Sequence, residues 1–166
     1  VTAKVGKGTE VTLKQETFYP FDETVKVTVD FKGKKVKSES FPLYFRIPKW
    51  CSDAKISVNG EEADCSPEAG QTVCLSRKWS KGDVVTLNFP MQVRISHWYD
   101  GATVVERGPL IYSLKMNEKW EKQDFEASYE GKYGPYYYTC VSDTPWNYGF
   151  RLQDMTPEKM ADNFKV

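Results

Sequence analysis

The sequence predicts an all-β protein: an antiparallel β-sandwich of the jelly-roll kind, with at most one short helix at the C-terminal end. Valine outnumbers leucine and alanine together among the 166 residues, and 14% of the residues are aromatic, a balance that favours pleated sheet over helix. Apolar and polar residues alternate in many short segments, with the two-residue period of half-buried strands. Turn residues separate these segments at short intervals, as in sandwiches and jelly rolls.

The clearest strand is predicted where four apolar residues alternate with polar ones: Val25, Val27, Val29 and Phe31. One face of this strand is expected to belong to the core and the other to solvent. The same alternation predicts five further strands, which are centred on Val11 and Leu13, on Leu43, Phe45 and Ile47, on Ile56 and Val58, on Val73 and Leu75, and on Val85, Leu87 and Phe89.

Three segments between these strands contain residues that tolerate a positive φ and are typical of chain reversals: Lys32-Gly33-Lys34, Asn59-Gly60-Glu61 and Lys81-Gly82-Asp83. Prolines fall at strand edges, where loss of a backbone donor costs least: Pro20, Pro48, Pro90 and Pro109. Tight turns of this kind indicate neighbouring antiparallel strands rather than strands joined through helices.

The pattern changes after Met116, because residues 117–132 are polar, charged and weakly periodic. We therefore predict a β-sandwich domain over residues 1–117, followed over 118–166 by an irregular extension or the start of a second β-sandwich packed on the first. Near the end, Thr156-Pro157-Glu158 combines an N-cap residue, a proline suited to the first helical position and an acidic first turn. One helix is predicted there, at about residues 157–163.

The charge balance argues against polyelectrolyte partners. Lysine and arginine number 23, as do aspartate and glutamate, so no sequence-wide basic field exists to attract nucleic acid or an anionic membrane. No apolar run is long enough for a transmembrane helix, and the first ten residues lack the apolar block of a signal peptide. Because the chain begins at Val1 and ends at Val166 without a stop signal, we expect it to be a piece of a longer polypeptide.

The sequence offers little material for a metal site or a cofactor. The four cysteines have no pair two or three residues apart and His97 is the single histidine, whereas zinc and iron-sulfur sites show CxxC-type spacing or several histidines. We predict reduced, small buried thiols at Cys51, Cys65, Cys74 and Cys140, although two disulfides in any of three pairings are possible. His97 is interpreted as a structural or solvent-facing residue, and no cofactor is predicted.

Candidate catalytic groups are equally sparse. The sequence lacks a Gly-rich phosphate loop and a GxSxG motif. Glu106 is the best single candidate for a catalytic carboxylate. It lies with Arg107 between apolar strands, where burial could shift its pKa. The favoured interpretation of Glu106 is an ion pair with Arg107 or another arginine.

Aromatic residues are the remaining functional signal, since sugar rings stack on exposed tryptophan and tyrosine. Tyr136, Tyr137 and Tyr138 are consecutive, so strand alternation must turn at least one ring outward. The candidate substrate-binding residues are Trp98, Tyr136, Tyr137 and Tyr138, from a wider set that also includes Tyr99, Trp120 and Trp146.

Six strings together resemble the β-sandwich region that follows the catalytic barrel in glycoside hydrolase family 127, the bacterial β-L-arabinofuranosidase-like enzymes once called a domain of unknown function. The resemblance covers about residues 10–150. The strings are Thr17-Phe18-Tyr19-Pro20, Leu43-Tyr44-Phe45-Arg46-Ile47-Pro48-Lys49-Trp50, Val58-Asn59-Gly60, Arg77-Lys78-Trp79-Ser80-Lys81-Gly82-Asp83, Arg107-Gly108-Pro109-Leu110-Ile111-Tyr112 and Pro145-Trp146-Asn147-Tyr148.

The resemblance implies a parent glycosidase with a helical barrel that holds an acid/base glutamate and a zinc-bound cysteine nucleophile. This chain has no adjacent cysteine pair and no helical barrel, so no catalytic residue of the family is carried onto any position here. The resemblance therefore implies a non-catalytic accessory domain, whose partner is the missing catalytic barrel of the same polypeptide. The alternative is an autonomous carbohydrate-binding module for a plant-type oligosaccharide. A self-sufficient hydrolase acting through Glu106 is the least supported interpretation.

Overall fold

A computed structural model describes residues 1–33, 36–125, 134–145, 147–149, 151, 156, 159 and 163–164. Strand accounts for 53% of the described residues and helix for 3%, so the all-β prediction is confirmed. The chain divides into two units, one made of Val1–Ile111 with Pro157–Val166 and the other of Tyr112–Thr156. Of the helix predicted at 157–163, Lys159 and Asn163 are described and helical, and the remainder lies outside the described residues.

The first unit contains eleven described strands: β1 (Thr2–Val5), β2 (Thr9–Thr17), β3 (Thr24–Phe31), β4 (Ser38–Arg46), β5 (Lys55–Val58), β6 (Glu61–Glu62), β7 (Thr72–Ser80), β8 (Val84–Asn88), β9 (Val93–His97), β10 (Thr103–Arg107) and β11 (Leu110–Ile111). They form a six-stranded sheet in the order β1-β2-β3-β8-β5-β6, a two-stranded sheet β4-β7 and a three-stranded sheet β11-β10-β9. All the described strand pairs of this unit are antiparallel.

The core gathers the inward side chains of the six-stranded sheet and of the β4-β7 sheet into one buried cluster. Val29 and Val85 come from the large sheet, and Trp79 comes from β7. Trp79 is fully buried, and its indole Nε1 donates a hydrogen bond to the Phe41 carbonyl at 2.9 Å. The predicted alternation of β3 is confirmed, because Val27, Val29 and Phe31 are all buried on one face.

The hairpin turn at Asn59 and Gly60 is present between β5 and β6. Both residues have a positive φ, 55° for Asn59 and 90° for Gly60. The Asn59 side chain also ties this turn to the next one, since Nδ2 donates to Asp83 Oδ1 at 3.0 Å and Oδ1 accepts the Val84 backbone N–H at 2.9 Å. One side chain thus holds two chain reversals together.

The second unit is built on one described hairpin, β12 (Glu118–Asp124) and β13 (Tyr136–Ser142). The strands pair antiparallel with Trp120 opposite Cys140 and Lys122 opposite Tyr138. Directly opposed residues share a face of the sheet, so Trp120, Lys122 and Tyr138 lie on the same side. Most side chains of this hairpin are exposed. Across the described part of the chain, no helix combines the length and apolar character needed to cross a membrane.

Candidate functional site

Glu106 on β10 is the one buried charged residue among those the structure describes, with 7% of its surface exposed. It lies directly opposite Arg94 on β9, and the Arg94 guanidinium forms an ion pair with Oε2. The interpretation of Glu106 as an ion-paired residue is confirmed, and its partner is Arg94. Arg107 instead forms an ion pair with Glu23 Oε1 at 3.1 Å.

The second carboxylate oxygen of Glu106 holds a polar chain that leads to the surface. The Ser96 hydroxyl donates to Glu106 Oε1 at 2.8 Å, and the indole Nε1 of Trp98 donates to the same Ser96 oxygen at 2.9 Å. A hydroxyl has one hydrogen and two lone pairs, so Ser96 satisfies both neighbours at once. The side chains of Arg94, Ser96 and Trp98 lie on the same face, because these residues are two positions apart in extended chain. We call the group of Arg94, Ser96, Trp98 and Glu106 the Glu106 relay.

The relay ends at an exposed turn. Trp98 is 63% exposed and Tyr99 is 95% exposed, and we call these two residues the aromatic tip. The turn is closed by the Trp98 backbone N–H, which donates to the Ala102 carbonyl at 2.8 Å. Asp100 has φ 57°, a left-handed conformation that aspartate tolerates better than most residues. The tip is therefore a short, internally bonded reversal.

His97 lies on the opposite face of β9 from the relay. It is exposed, and its Nδ1 is 3.4 Å from the Thr103 hydroxyl. The described residues contain no group of three His, Cys, Asp or Glu side chains close enough to hold a metal ion.

The three candidate tyrosines lie on β13 of the second unit, whereas Trp98 belongs to the first. The Tyr136 and Tyr138 rings have centroids 5.7 Å apart and planes at 81°. Tyr137 packs on the other side against Phe125, with centroids 4.9 Å apart and planes at 45°. The Lys122 ammonium lies 4.3 Å from the centre of the Tyr136 ring. Tyr136 and Tyr138 are thus an edge-to-face pair, and they do not form one flat platform. Trp146 lies outside the described residues.

The four cysteines are free, but their environments differ from the prediction. Cys51 is buried and Cys65 is half-buried, whereas Cys74 and Cys140 are exposed. The prediction of buried thiols at Cys74 and Cys140 is therefore wrong. Cys74 lies between the inward residues Val73 and Leu75, so alternation turns it outward. Burial raises the pKa of the Cys51 thiol, and it also raises the pKa of Cys65.

An apolar groove of about 620 Å³ opens in the first unit near the chain start. Its lining comes from β2, β3, β4 and β8 together with Val1 and Phe89, and includes Leu13, Val25 and Phe45. In the β2–β3 connection, Phe18 and Phe21 are 81% and 66% exposed. The first unit therefore combines an apolar groove with two exposed phenylalanine rings.

Sequence reasoning selected Glu106 and Trp98 separately and missed the residues that join them. Ser96 and Arg94 are ordinary surface residue types, and only the pairing of β9 with β10 places them beside Glu106. The one local signal was the spacing of Arg94, Ser96 and Trp98, which places all three on one face of a strand.

Comparisons with known proteins agree with this fold. A family model described as the middle domain of GH127 β-L-arabinofuranosidase matches residues 1–91. A solved structure described as a glycoside hydrolase shares 37% identity over 67% of this chain and 19% of its own, with a TM-score of 0.57. No curated protein gives a significant match.

Two further solved structures resemble the fold over 84% of this chain. One is a GH127 β-L-arabinofuranosidase from Geobacillus stearothermophilus T6, with 24% identity, a TM-score of 0.58 and 28% of its chain covered. The other is a GH127 β-arabinofuranosidase with 21% identity, a TM-score of 0.54 and 29% of its chain covered. The present chain thus spans less than a third of the length of each of the three structures.

Proposed function

Because residues 1–91 match the middle domain of the GH127 β-L-arabinofuranosidases, the chain belongs to this family, and we propose that it is a non-catalytic accessory β-sandwich of a longer glycoside hydrolase. Its role is to brace the catalytic barrel of that polypeptide. The observation that carries the proposal is coverage: the chain aligns with 19% to 29% of the matched chains. Most of each matched chain therefore lies outside the aligned region.

The exposed apolar surface of the first unit supports a bracing role. Contacts between domains of one chain typically bury on the order of 600 to 1,500 Å², and large exposed apolar patches on a soluble protein mark interaction sites. The groove lined by Val1, Leu13 and Phe45 and the exposed rings of Phe18 and Phe21 are the apolar surfaces of this unit that are open to such a contact.

The state of Glu106 supports the absence of catalysis. Glycosidases generally use two carboxyl groups about 5 to 10 Å apart, one of which must be free to exchange a proton or attack the sugar. Glu106 Oε2 is ion-paired with Arg94, and Oε1 accepts a hydrogen bond from Ser96. A carboxylate held in this way is suited to a structural role.

The test compares three purified polypeptides: residues 1–166 alone, the complete polypeptide encoded by the gene, and the complete polypeptide lacking residues 1–166. Hydrolysis of an aryl β-L-arabinofuranoside is measured with and without added zinc, together with the half-life of activity on heating. We expect background turnover for residues 1–166, turnover by the complete polypeptide, and a shortened half-life after the deletion. Turnover by residues 1–166 that Glu106→Gln abolishes would overturn the proposal, as would an unchanged half-life after the deletion.

The alternative is an autonomous carbohydrate-binding module that uses Trp98, Tyr136, Tyr137 and Tyr138. The exposure of these rings is its support, and the 81° angle between Tyr136 and Tyr138 is the argument against it, because one sugar face cannot stack on two perpendicular rings. Titration of residues 1–166 with arabino-oligosaccharides, followed by calorimetry, distinguishes the two functions. Saturable heat that disappears in Tyr136→Ala would favour the binding module.

A further inference from the structure

We propose that the outer edge of β7 is an interface between two copies of this chain, in which the two β7 strands pair antiparallel about a two-fold axis. This pairing would join the two β4-β7 sheets into one four-stranded sheet, in the order β4-β7-β7-β4. The inference goes beyond the proposed accessory function and does not depend on it.

The first argument is the hydrogen bonding of β7. Odd-numbered residues bond to β4, because the Ile47 N–H donates to the Gln71 carbonyl at 2.8 Å and the two strands keep one register along their whole length. The backbone groups of even-numbered residues therefore point to the outer edge, which pairs with no other strand in the described part of the chain. We call the backbone N–H and C=O groups of four exposed residues the open edge of β7: Thr72, Cys74, Ser76 and Lys78.

The open edge is able to accept another strand. None of its four residues is a proline, so each retains the backbone N–H that a ladder needs. An unpaired edge of this kind is a template for pairing with another chain. The Ser80 N–H donates to Asp83 Oδ2 at 2.8 Å, which limits the open edge to residues 72–78. In the same sheet, β4 contains Pro42, so β7 offers the more complete ladder.

The two-fold axis fixes the register and closes the assembly. Bonds between the two copies must join even-numbered residues, because only these point outward. All four outward residues find partners when the axis passes beside Leu75. Cys74 then lies opposite Ser76 of the second copy, and Thr72 lies opposite Lys78 of the second copy. The axis uses both open edges at once, so the pairing ends at two copies.

The charges beside the open edge complement one another between copies. A groove of about 460 Å³ lies between β7 and the β5-β6 hairpin, and its charged lining residues are Glu61, Glu62, Asp64 and Arg77. None of these four forms an ion pair with another described residue. The Arg77 guanidinium lies 5.3 Å from the centre of the Trp79 ring, and a stacked guanidinium keeps its in-plane N–H donors free for a carboxylate. In the proposed register, Arg77 of each copy approaches the acidic groove of the other.

The first measurement uses no substitution. One added strand pair buries less surface than a standard stable interface of about 1,600 Å², so the pairing depends on protein concentration by mass action. Backbone amide exchange is therefore followed in the complete polypeptide at two concentrations about a hundredfold apart. We expect the Cys74 and Ser76 amides to exchange at least about fivefold more slowly at the higher concentration, and the Tyr44 amide on the outer edge of β4 to be unchanged. Exchange of Cys74 and Ser76 that is independent of concentration, whether fast or slow, would overturn the proposal.

The second measurement tests the register in the complete polypeptide with Ser76→Cys. The new cysteine lies opposite Cys74 of the second copy, with Cα atoms about 5.5 Å apart, and this separation is within the range of disulfides. Thr72→Cys is the matched control, because its cysteine is also two residues from Cys74 but lies opposite Lys78 of the second copy. After oxidation, peptide mapping should find at least about tenfold more intermolecular 74–76 disulfide in Ser76→Cys than 74–72 disulfide in the control. Equal yields would overturn the proposed pairing.

The third measurement tests the charges by sedimentation equilibrium of residues 1–166. Arg77→Glu is expected to raise the dissociation constant of the dimer at least about tenfold, because it places like charges together. Arg46→Glu makes the same charge change at an exposed position of β4 and should change the constant less than about threefold. Equal effects of the two substitutions would contradict the charge argument. Thermal unfolding checks that each variant is folded.

The outcomes separate this inference from the proposed function. If deletion of residues 1–166 shortens the half-life of activity but the open edge shows no concentration-dependent protection, the interface is wrong and the accessory function stands. If that protection is present and the deletion leaves the half-life unchanged, the interface stands and the accessory function fails. Assemblies of residues 1–166 larger than two copies would contradict the two-fold pairing.

Discussion

The Glu106–Arg94 pair predicts an unequal response to losing either partner. The Glu106 side chain is 10% exposed, whereas the Arg94 side chain is 54% exposed. Arg94→Met leaves a buried carboxylate without its counter-charge, and Glu106→Gln leaves an arginine that can return to water. Losing the arginine should therefore cost more stability than losing the carboxylate charge.

The structure sets the size of each effect. Removing one partner of a fully buried ion pair costs about 3 to 5 kcal/mol, but Ser96 still donates to Glu106 Oε1 in the Arg94→Met variant. We therefore expect a loss of about 2 to 3 kcal/mol in the free energy of unfolding. In Glu106→Gln, the amide oxygen can still accept from Ser96, so the expected loss is about 0.5 to 1 kcal/mol.

The assay is urea unfolding of residues 1–166, followed by far-ultraviolet circular dichroism. Lys14→Met is the control, because the Lys14–Glu16 pair is exposed on both sides and such pairs contribute about 0 to 1 kcal/mol. The double variant Arg94→Met/Glu106→Gln should resemble Glu106→Gln alone. Equal losses for the two single variants, or a larger loss for Glu106→Gln, would refute this account of the buried carboxylate.

Three further predictions concern the core, a turn and the thiols. Trp79→Ala should cost about 3 to 5 kcal/mol in unfolding free energy, since Trp79 is fully buried and donates to the Phe41 carbonyl; a loss below 1 kcal/mol in urea unfolding would contradict this. Asn59→Ala should cost about 1 to 2 kcal/mol in the same assay, because it removes two side-chain hydrogen bonds from a residue at positive φ. Iodoacetamide at pH 8, followed by mass spectrometry, should label Cys74 in the native protein and Cys51 only after unfolding. Cys51 is buried, and its raised pKa shifts thiolate formation to higher pH. Equal labelling rates for Cys51 and Cys74 in the native protein would contradict this prediction.

Local features of the fold could be predicted from the sequence, because they depend on neighbours along the chain. The alternation from Val25 to Phe31 gave the strand that the structure has at Thr24–Phe31. Asn59-Gly60 indicated its hairpin for the same reason. The order of the large sheet, in which β8 lies between β3 and β5, depends on pairings distant in sequence and could not be derived from periodicity.

The candidate site shows the same limit. Glu106 was identified because a charge among apolar residues is visible locally, but its partner Arg94 depends on the register of β9 against β10. Cys74 was predicted as buried because it lies in a strand with Val73 and Leu75. Alternation alone assigns it to the other face, so this error came from treating strand membership as burial.

Strand β4 has a further consequence, which concerns unwanted association between copies of the chain. In the β4-β7 pair, the Lys81 N–H donates to the Lys37 carbonyl and the Ile47 N–H donates to the Gln71 carbonyl. The backbone N–H and C=O groups of odd-numbered β4 residues therefore bond to β7, whereas those of even-numbered residues point to the other edge of β4. That edge pairs with no other strand in the described part of the chain.

Two features interrupt this edge at its centre. Pro42 has no backbone N–H to donate. The Ser40 N–H already donates to the side chain of the preceding residue, at 3.3 Å from Glu39 Oε1. An approaching strand would therefore find consecutive outward positions unable to complete a ladder. Proline and inward charge of this kind are known protections against edge-to-edge aggregation. The sandwich can thus leave a two-stranded sheet open without offering a continuous template for amyloid-like growth.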